Sequence, residues 1–329
     1  MLREQTAANP ARMQRALDGL RRYQEAERAP PPPPMPALAA AEGATIRDYG
    51  GSGPPVLFVP SLINPPTILD LGQRGSLLRW LAERGRHVLL LDWGWPDARR
   101  QSLSVGGHVE QILLPLLAGL DEAPDLVGYC LGGTMAAAAA QLAPVRGLTT
   151  MATPWHFDGF PEEARAALAR LWVESRPAVE ALGVLPMEVL QSAFWSLDPA
   201  RTVAKFEAFA DLDGEAARSF VTLEDWANDG PPIGGAAAAE LFEGLFAADL
   251  SGTGEWRVGG QVIDPARLDV PLFNIVSTTD RIVPQATAMR AGERLDLALG
   301  HVGMVVGSRA KETLWEPLAA WLSRTAAKC

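Results

Sequence analysis

Three side chains of this 329-residue chain have the types needed for nucleophilic acyl chemistry: Cys130 in "GYCLGGT", Asp280 in "STTDRIVP" and His301 in "LGHVGM". Cys130 lies between Gly128 and Gly132, where the apolar run "DLVGY" gives way to the helix-forming "GGTMAAAAAQLA". A tight strand-to-helix turn strains the residue at its apex and leaves room only for small neighbours. It also puts that residue at a helix N-terminus, where free amides and the helix dipole favour a thiolate and later an oxyanion. A nucleophile on such a turn is followed along the chain by an acid and then a histidine. Of the four histidines, His87 opens a strand, His108 lies near a helix start and His156 follows a strand end. His301 sits in a glycine-flanked loop after a short strand and before the final helix, where an imidazole can reach the nucleophile. Asp280 ends a late strand, 21 residues before His301, and suits the carboxylate that orients the base. Asp92, in "LDWGWP", is the second candidate for that acid. An oxyanion hole would use the backbone amide of Leu131 with that of Leu62 or Ile63, in the loop "PSLINPP", and the sequence leaves that choice open.

The elements that must position these residues follow a regular rhythm. Strands are expected at 54–60, 87–93, 125–129 and 145–153, separated by helices at 76–85, 104–120 and 132–143. Such alternation means βαβ units, hence an α/β fold with a mostly parallel sheet flanked by helices and a ligand site at the strands' C-terminal ends. The rhythm lapses over 154–268, a proline-containing stretch with Trp155, Trp172, Trp195, Trp226 and Trp256, read as an inserted helical cap or lid. Those tryptophans either line an apolar tunnel or form the cap's own core. The core resumes over 269–329, with a strand at 270–280, a helix near 285–294, a strand near 295–299 and a last helix near 309–324. Its first part spans 37–153. Ahead of it, residues 1–36 comprise an amphipathic helix at 9–28, with Met13, Leu17, Leu20 and Tyr23 at helical spacing, and the stiff linker "APPPPPMP". That helix is expected either to pack on its own domain or to serve as a docking arm.

Composition narrows the functional classes. A net charge of −10 argues against nucleic-acid binding. Two cysteines exclude a disulfide framework and a cysteine-rich zinc site, and Cys329, the last residue, is expected to be frayed and inert. Without a zincin, Walker or dinucleotide motif, no metal and no bound cofactor is expected. No apolar run is long enough for a membrane span, and residues 1–28 lack the apolar segment of a signal peptide, so a reducing cytoplasm is the expected location.

The Gly-x-Cys-x-Gly elbow resembles that of the α/β-hydrolase fold, with cysteine in place of serine. With "VPSLINPPTILDL", "LDWGWP", "GYCLGGT", "FVTLEDWANDGPP", "DRIVP" and "GHVGMVVGSRA" in this order, the chain from residue 54 onward resembles the polyhydroxyalkanoate synthases, especially the short catalytic subunits of two-component enzymes. It departs from that pattern at Arg281, where histidine is common, and at Pro65, where a basic residue is common. The resemblance implies an acyltransferase that polymerises (R)-3-hydroxyacyl-CoA, with the growing polyester held on Cys130 as a thioester, His301 as base and Asp280 as its partner. It also implies acyl-CoA as substrate, release of CoA, a second synthase subunit as partner, a homo-oligomer, and a place in the cytoplasm at a polyester granule surface. The alternatives are a thioesterase or polyester hydrolase with the same cysteine, and a non-catalytic granule-associated scaffold.

Overall fold

Short apolar runs buried on both faces build the centre of the sheet. In the computed structural model, which describes residues 2–28, 30–71 and 75–326, eight strands form one sheet. They are β1 (Ala37–Ala41), β2 (Ala44–Asp48), β3 (Pro55–Val59), β4 (His87–Asp92), β5 (Asp125–Tyr129), β6 (Gly147–Met151), β7 (Leu272–Ser277) and β8 (Glu293–Leu297). Their order is β1-β2-β4-β3-β5-β6-β7-β8. From β4 to β8 every pairing is parallel, while β1 and β2 form an antiparallel hairpin joined to β4. All five residues of β3, of β5 and of β6 are buried. Each large apolar side chain so buried contributes about 1.5–3 kcal/mol. Such strands read as unbroken hydrophobic runs because helices cover both faces of a parallel sheet. The helix Leu131–Leu142, rich in alanine and glycine, is buried from Leu131 to Ala140 and packs closely against β5 and β6. This is the expected α/β architecture.

The chain divides into two compact units. One comprises Pro34–Pro186 and Pro231–Cys329 and contains the sheet. The other comprises Met1–Pro33 and Met187–Gly230. Residues 154–268, expected as one insertion, are therefore shared between the units. In the second unit the helix Pro10–Glu25 packs on Pro199–Phe209. Its buried residues are Ala16 and Gly19, whereas Leu17, placed on the apolar face by its spacing, is exposed. The reason is close approach: a Cβ on Gly19 would lie 1.9 Å from the Phe206 carbonyl oxygen. Tyr23 then meets Phe206 and Phe220, and its hydroxyl donates to Asp225 at 2.6 Å.

Two further differences have local causes. The helix expected near 285–294 is absent; a short 3₁₀ turn, Gln285–Thr287, stands there and β8 begins at Glu293. The carbonyl of Thr287 accepts from the amides of Trp155 and His156, and that of Met289 from the Asn274 side chain. These acceptors are committed to neighbouring segments, so a helical ladder cannot use them. The β1–β2 hairpin adds two strands to those expected; its turn is Glu42–Gly43, both with positive φ, the geometry of a two-residue hairpin loop. Within the sheet-containing unit, Trp155 packs edge-on against Trp256, Trp172 stacks on Phe242, and all three tryptophans are buried. These three belong to a local core. Cys329 lies outside the described residues. No helix among the described residues is long and apolar enough to cross a membrane.

Candidate active site

Four loops deliver the site, each from the C-terminal end of a parallel strand. Cys130 follows β5 directly and caps the helix that starts at Leu131, with φ 56° and ψ −133°. Few non-glycine residues adopt this conformation, and it persists only where the surroundings enforce it. They do so here. The Cys130 amide donates to the Met151 carbonyl at 3.0 Å, and its own carbonyl accepts from Gly133 at 2.9 Å. A Cβ on Gly128 would fall 2.3 Å from the Gly133 Cα, one on Gly132 would fall 2.1 Å from the Val59 carbonyl, and one on Gly133 would meet the Thr153 side chain. The elbow therefore needs three glycines, one more than the two flanking positions predicted. Gly132→Ala forces a methyl into the backbone of Val59 and Pro60, and we expect a loss of about 3 kcal/mol or more, read as a lower midpoint in chemical denaturation.

Asp280 and His301 meet. The Asp280 Oδ2 lies 2.6 Å from His301 Nδ1, and both residues are buried. Asp280 Oδ1 accepts from the amides of Ile282 at 2.7 Å and Val283 at 3.0 Å. One carboxylate thus orders its own turn and faces the imidazole, which accounts for the "D-x-x-V-P" spacing. With Nδ1 directed at Asp280, Nε2 is the ring nitrogen left for Cys130. Burial alone would push the imidazole down, but the Asp280 carboxylate and the Cys130 sulfur outweigh it and hold His301 up at about 10. Cys130 is a free cysteine and, as a residue, half-buried, whereas Asp280 and His301 are buried.

The loop after β3 abuts the elbow, because Val59 and Pro60 are the backbone that a Cβ on Gly132 would strike. The indole Nε1 of Trp93 donates to the Pro60 carbonyl at 2.9 Å and pins this loop from behind. The amide of Ile63 donates to Ser61 Oγ at 3.1 Å. The amide of Leu62 has no hydrogen-bond acceptor among the described residues, and that of Leu131 is a first-turn helix amide with no helical acceptor. Of the two amides left open by the sequence, Leu62 is thus the unengaged one.

The remaining candidates lie elsewhere. Asp92 pairs with Arg47 and accepts from the Gly94 amide. His87 faces Asp48, and His108 is buried with Nδ1 on the Ser104 carbonyl, which burial pushes down to about 4. His156 converges with Asp158 and Asp249, their potential ligand atoms all within 4.8 Å. This set could hold a cation, although Asp249 already accepts from the Phe157 amide at 2.6 Å. Nothing in the spacing of His156, Asp158 and Asp249 marks it, because Asp249 joins only through the fold.

Comparison with known proteins bears on the family and the fold. Residues 54–302 match the sequence model described as alpha/beta hydrolase fold. The chain is 30% identical over 292 residues to the poly(3-hydroxyalkanoate) polymerase subunit PhaC of Allochromatium vinosum, covering 82% of this chain and 80% of that protein. It is 29% identical over 288 residues to the subunit of the same name from Haloferax mediterranei, covering 82% of this chain but 58% of that one. Among solved structures, the monoacylglycerol lipase of Paleococcus ferrophilus superposes with a TM-score of 0.54 at 15% identity, over 86% of this chain and 99% of that one. At that identity the likeness concerns the fold alone.

Proposed function

The chain belongs to the poly(3-hydroxyalkanoate) polymerase PhaC family, within the alpha/beta hydrolase fold, and on that footing we propose that it is an acyltransferase that polymerises (R)-3-hydroxyacyl-CoA and releases CoA. The observation that carries this reading is the buried Asp280–His301 pair beside the strained elbow that bears Cys130. Cys130 Sγ attacks the thioester carbonyl of the acyl-CoA. His301 Nε2 holds the proton given up by the thiol and passes it to the departing CoA sulfur. Asp280 holds the imidazole in the tautomer and orientation this requires. The amides of Leu131 and Leu62 stabilise the oxyanion of the tetrahedral intermediate. The product is a thioester on Cys130. The hydroxyl of the next hydroxyacyl unit or of a growing chain attacks it; an ester forms, the bond from the acyl carbon to Cys130 Sγ breaks, and His301 carries the proton from the hydroxyl to the departing sulfur.

Cysteine suits this better than serine. A thioester is activated enough to pass its acyl group to an alcohol, provided water is kept from the site. No bound cofactor is required, since CoA enters as part of the substrate. The reading includes a second synthase subunit, self-association, and work at a polyester granule in the cytoplasm.

Incubation with 3-hydroxybutyryl-CoA, alone and with a candidate second subunit, tests it. CoA appearing with polymer supports the proposal. CoA appearing with free 3-hydroxybutyrate makes the chain a thioesterase, and absence of CoA in both incubations leaves it non-catalytic.

A further inference from the structure

The residue before the nucleophile has a side chain that the chemistry above leaves unused. Tyr129 ends β5 and is buried. Its ring stacks on the His301 imidazole, with centroids 5.0 Å apart and planes inclined by 27°. Its hydroxyl donates to the main-chain carbonyl of His301 at 3.1 Å. One side chain therefore grips both the ring and the backbone of the same distant residue. We propose that Tyr129 is a positioning residue for His301, tying the base to the strand that carries the thiol so that the two reactive groups move together.

The chemistry fits each contact. An aromatic face attracts a cation, and the His301 ring is the one that Asp280 and the Cys130 sulfur favour in its cationic form. These three, Cys130 from the elbow, Asp280 from the loop after β7 and Tyr129 from β5, are the titratable groups set against the imidazole. Burial and the negative charges of Cys130 and Asp280 keep the phenol protonated, so it remains a donor to the carbonyl. His301 sits on a loop after the edge strand β8, where a covalent neighbour cannot fix it relative to β5. Tyrosine supplies both grips. Phenylalanine would keep only the stacking, and an aliphatic residue neither.

The inference rests on Cys130 and His301 being the reacting pair, and its test needs no acyl-CoA. The full chain is labelled with ¹⁵N-histidine, giving four titration curves, of which His301→Gln identifies one. Tyr129→Leu should move the His301 titration down by about one pH unit. Tyr129→Phe should leave that titration near the wild-type value. It should slow alkylation of Cys130 by iodoacetamide at pH 7 about three- to tenfold, followed on the Cys130 peptide, because one hydrogen bond holding the base is lost. A folded Tyr129→Leu chain that titrates His301 at the wild-type pH overturns the role of the ring. A Tyr129→Phe chain alkylated at the wild-type rate overturns the role of the hydroxyl, and that variant decides alone if the leucine chain does not fold. If both readouts move as stated while the wild type releases no CoA, the polyester reading fails and the positioning role stands.

Discussion

Cys130→Ala releases CoA from 3-hydroxybutyryl-CoA at least about 10⁴-fold more slowly than the wild type, while its melting temperature stays close to the wild-type value. The size follows from losing the atom that forms the intermediate; removing a nucleophile from a coupled triad costs nearly everything the triad provides. Stability should change little because the elbow is held by glycines and by backbone hydrogen bonds to Met151 and from Gly133, none of which involves the thiol. Cys130→Ser sharpens the result. A hydroxyl at the same position is far harder to ionise and would form an ester, which passes its acyl group to an alcohol less readily. We expect polymer formation to vanish, and any remaining CoA release to appear with free acid.

Asp280→Asn should lower kcat by about 10³–10⁴-fold with a smaller change in KM. The local geometry makes the reason specific. The amides of Ile282 and Val283 both point at Oδ1 and would keep the asparagine carbonyl there. Its NH₂ group would then face His301 Nδ1, where Oδ2 now accepts. The imidazole would have to present a lone pair at Nδ1 and a hydrogen at Nε2, the wrong tautomer for a base toward Cys130. The pH dependence of stability changes as well. The folded-state His301 is raised toward about 10, so its protonation stabilises the fold fully below the ordinary imidazole value, and that contribution is lost as pH rises through the folded value. The negative charge of Asp280 is the largest influence raising it, so in the variant the decline of melting temperature between about pH 7 and pH 10 should flatten.

The parts of this fold that could be read from the chain are those governed by local rules. The strands 55–59, 87–92 and 125–129 show themselves as apolar runs because both faces of a parallel sheet are covered. The elbow is visible because glycine on both sides of a cysteine has a steric cause, though the need for Gly133 depends on Thr153, from the loop after β6. The partnership of Asp280 and His301 followed from chain order, yet the double use of the carboxylate did not, since it depends on where two amides point. The failure at 285–294 has the opposite character. "QATAMRAGER" has good helix formers, but tertiary acceptors claim the backbone of Thr287 and Met289. On the first long helix, spacing places Met13, Leu20 and Tyr23 on the covered side but errs at Leu17 for a similar reason. Spacing favoured Leu17, while close helix packing selected Ala16 and Gly19. That the Ile63 amide is engaged by Ser61 Oγ depends on the fold of the loop and has no mark in the sequence.

The most direct test of the account is to mix the protein with 3-hydroxybutyryl-CoA, quench in acid and map the acylated peptide by mass spectrometry. A hydroxybutyryl thioester is expected on the peptide containing Cys130, absent from Cys130→Ala and persisting longer in His301→Gln once formed. CoA release with no acyl group on that peptide at any quench time, or with the acyl group on another residue, would contradict it.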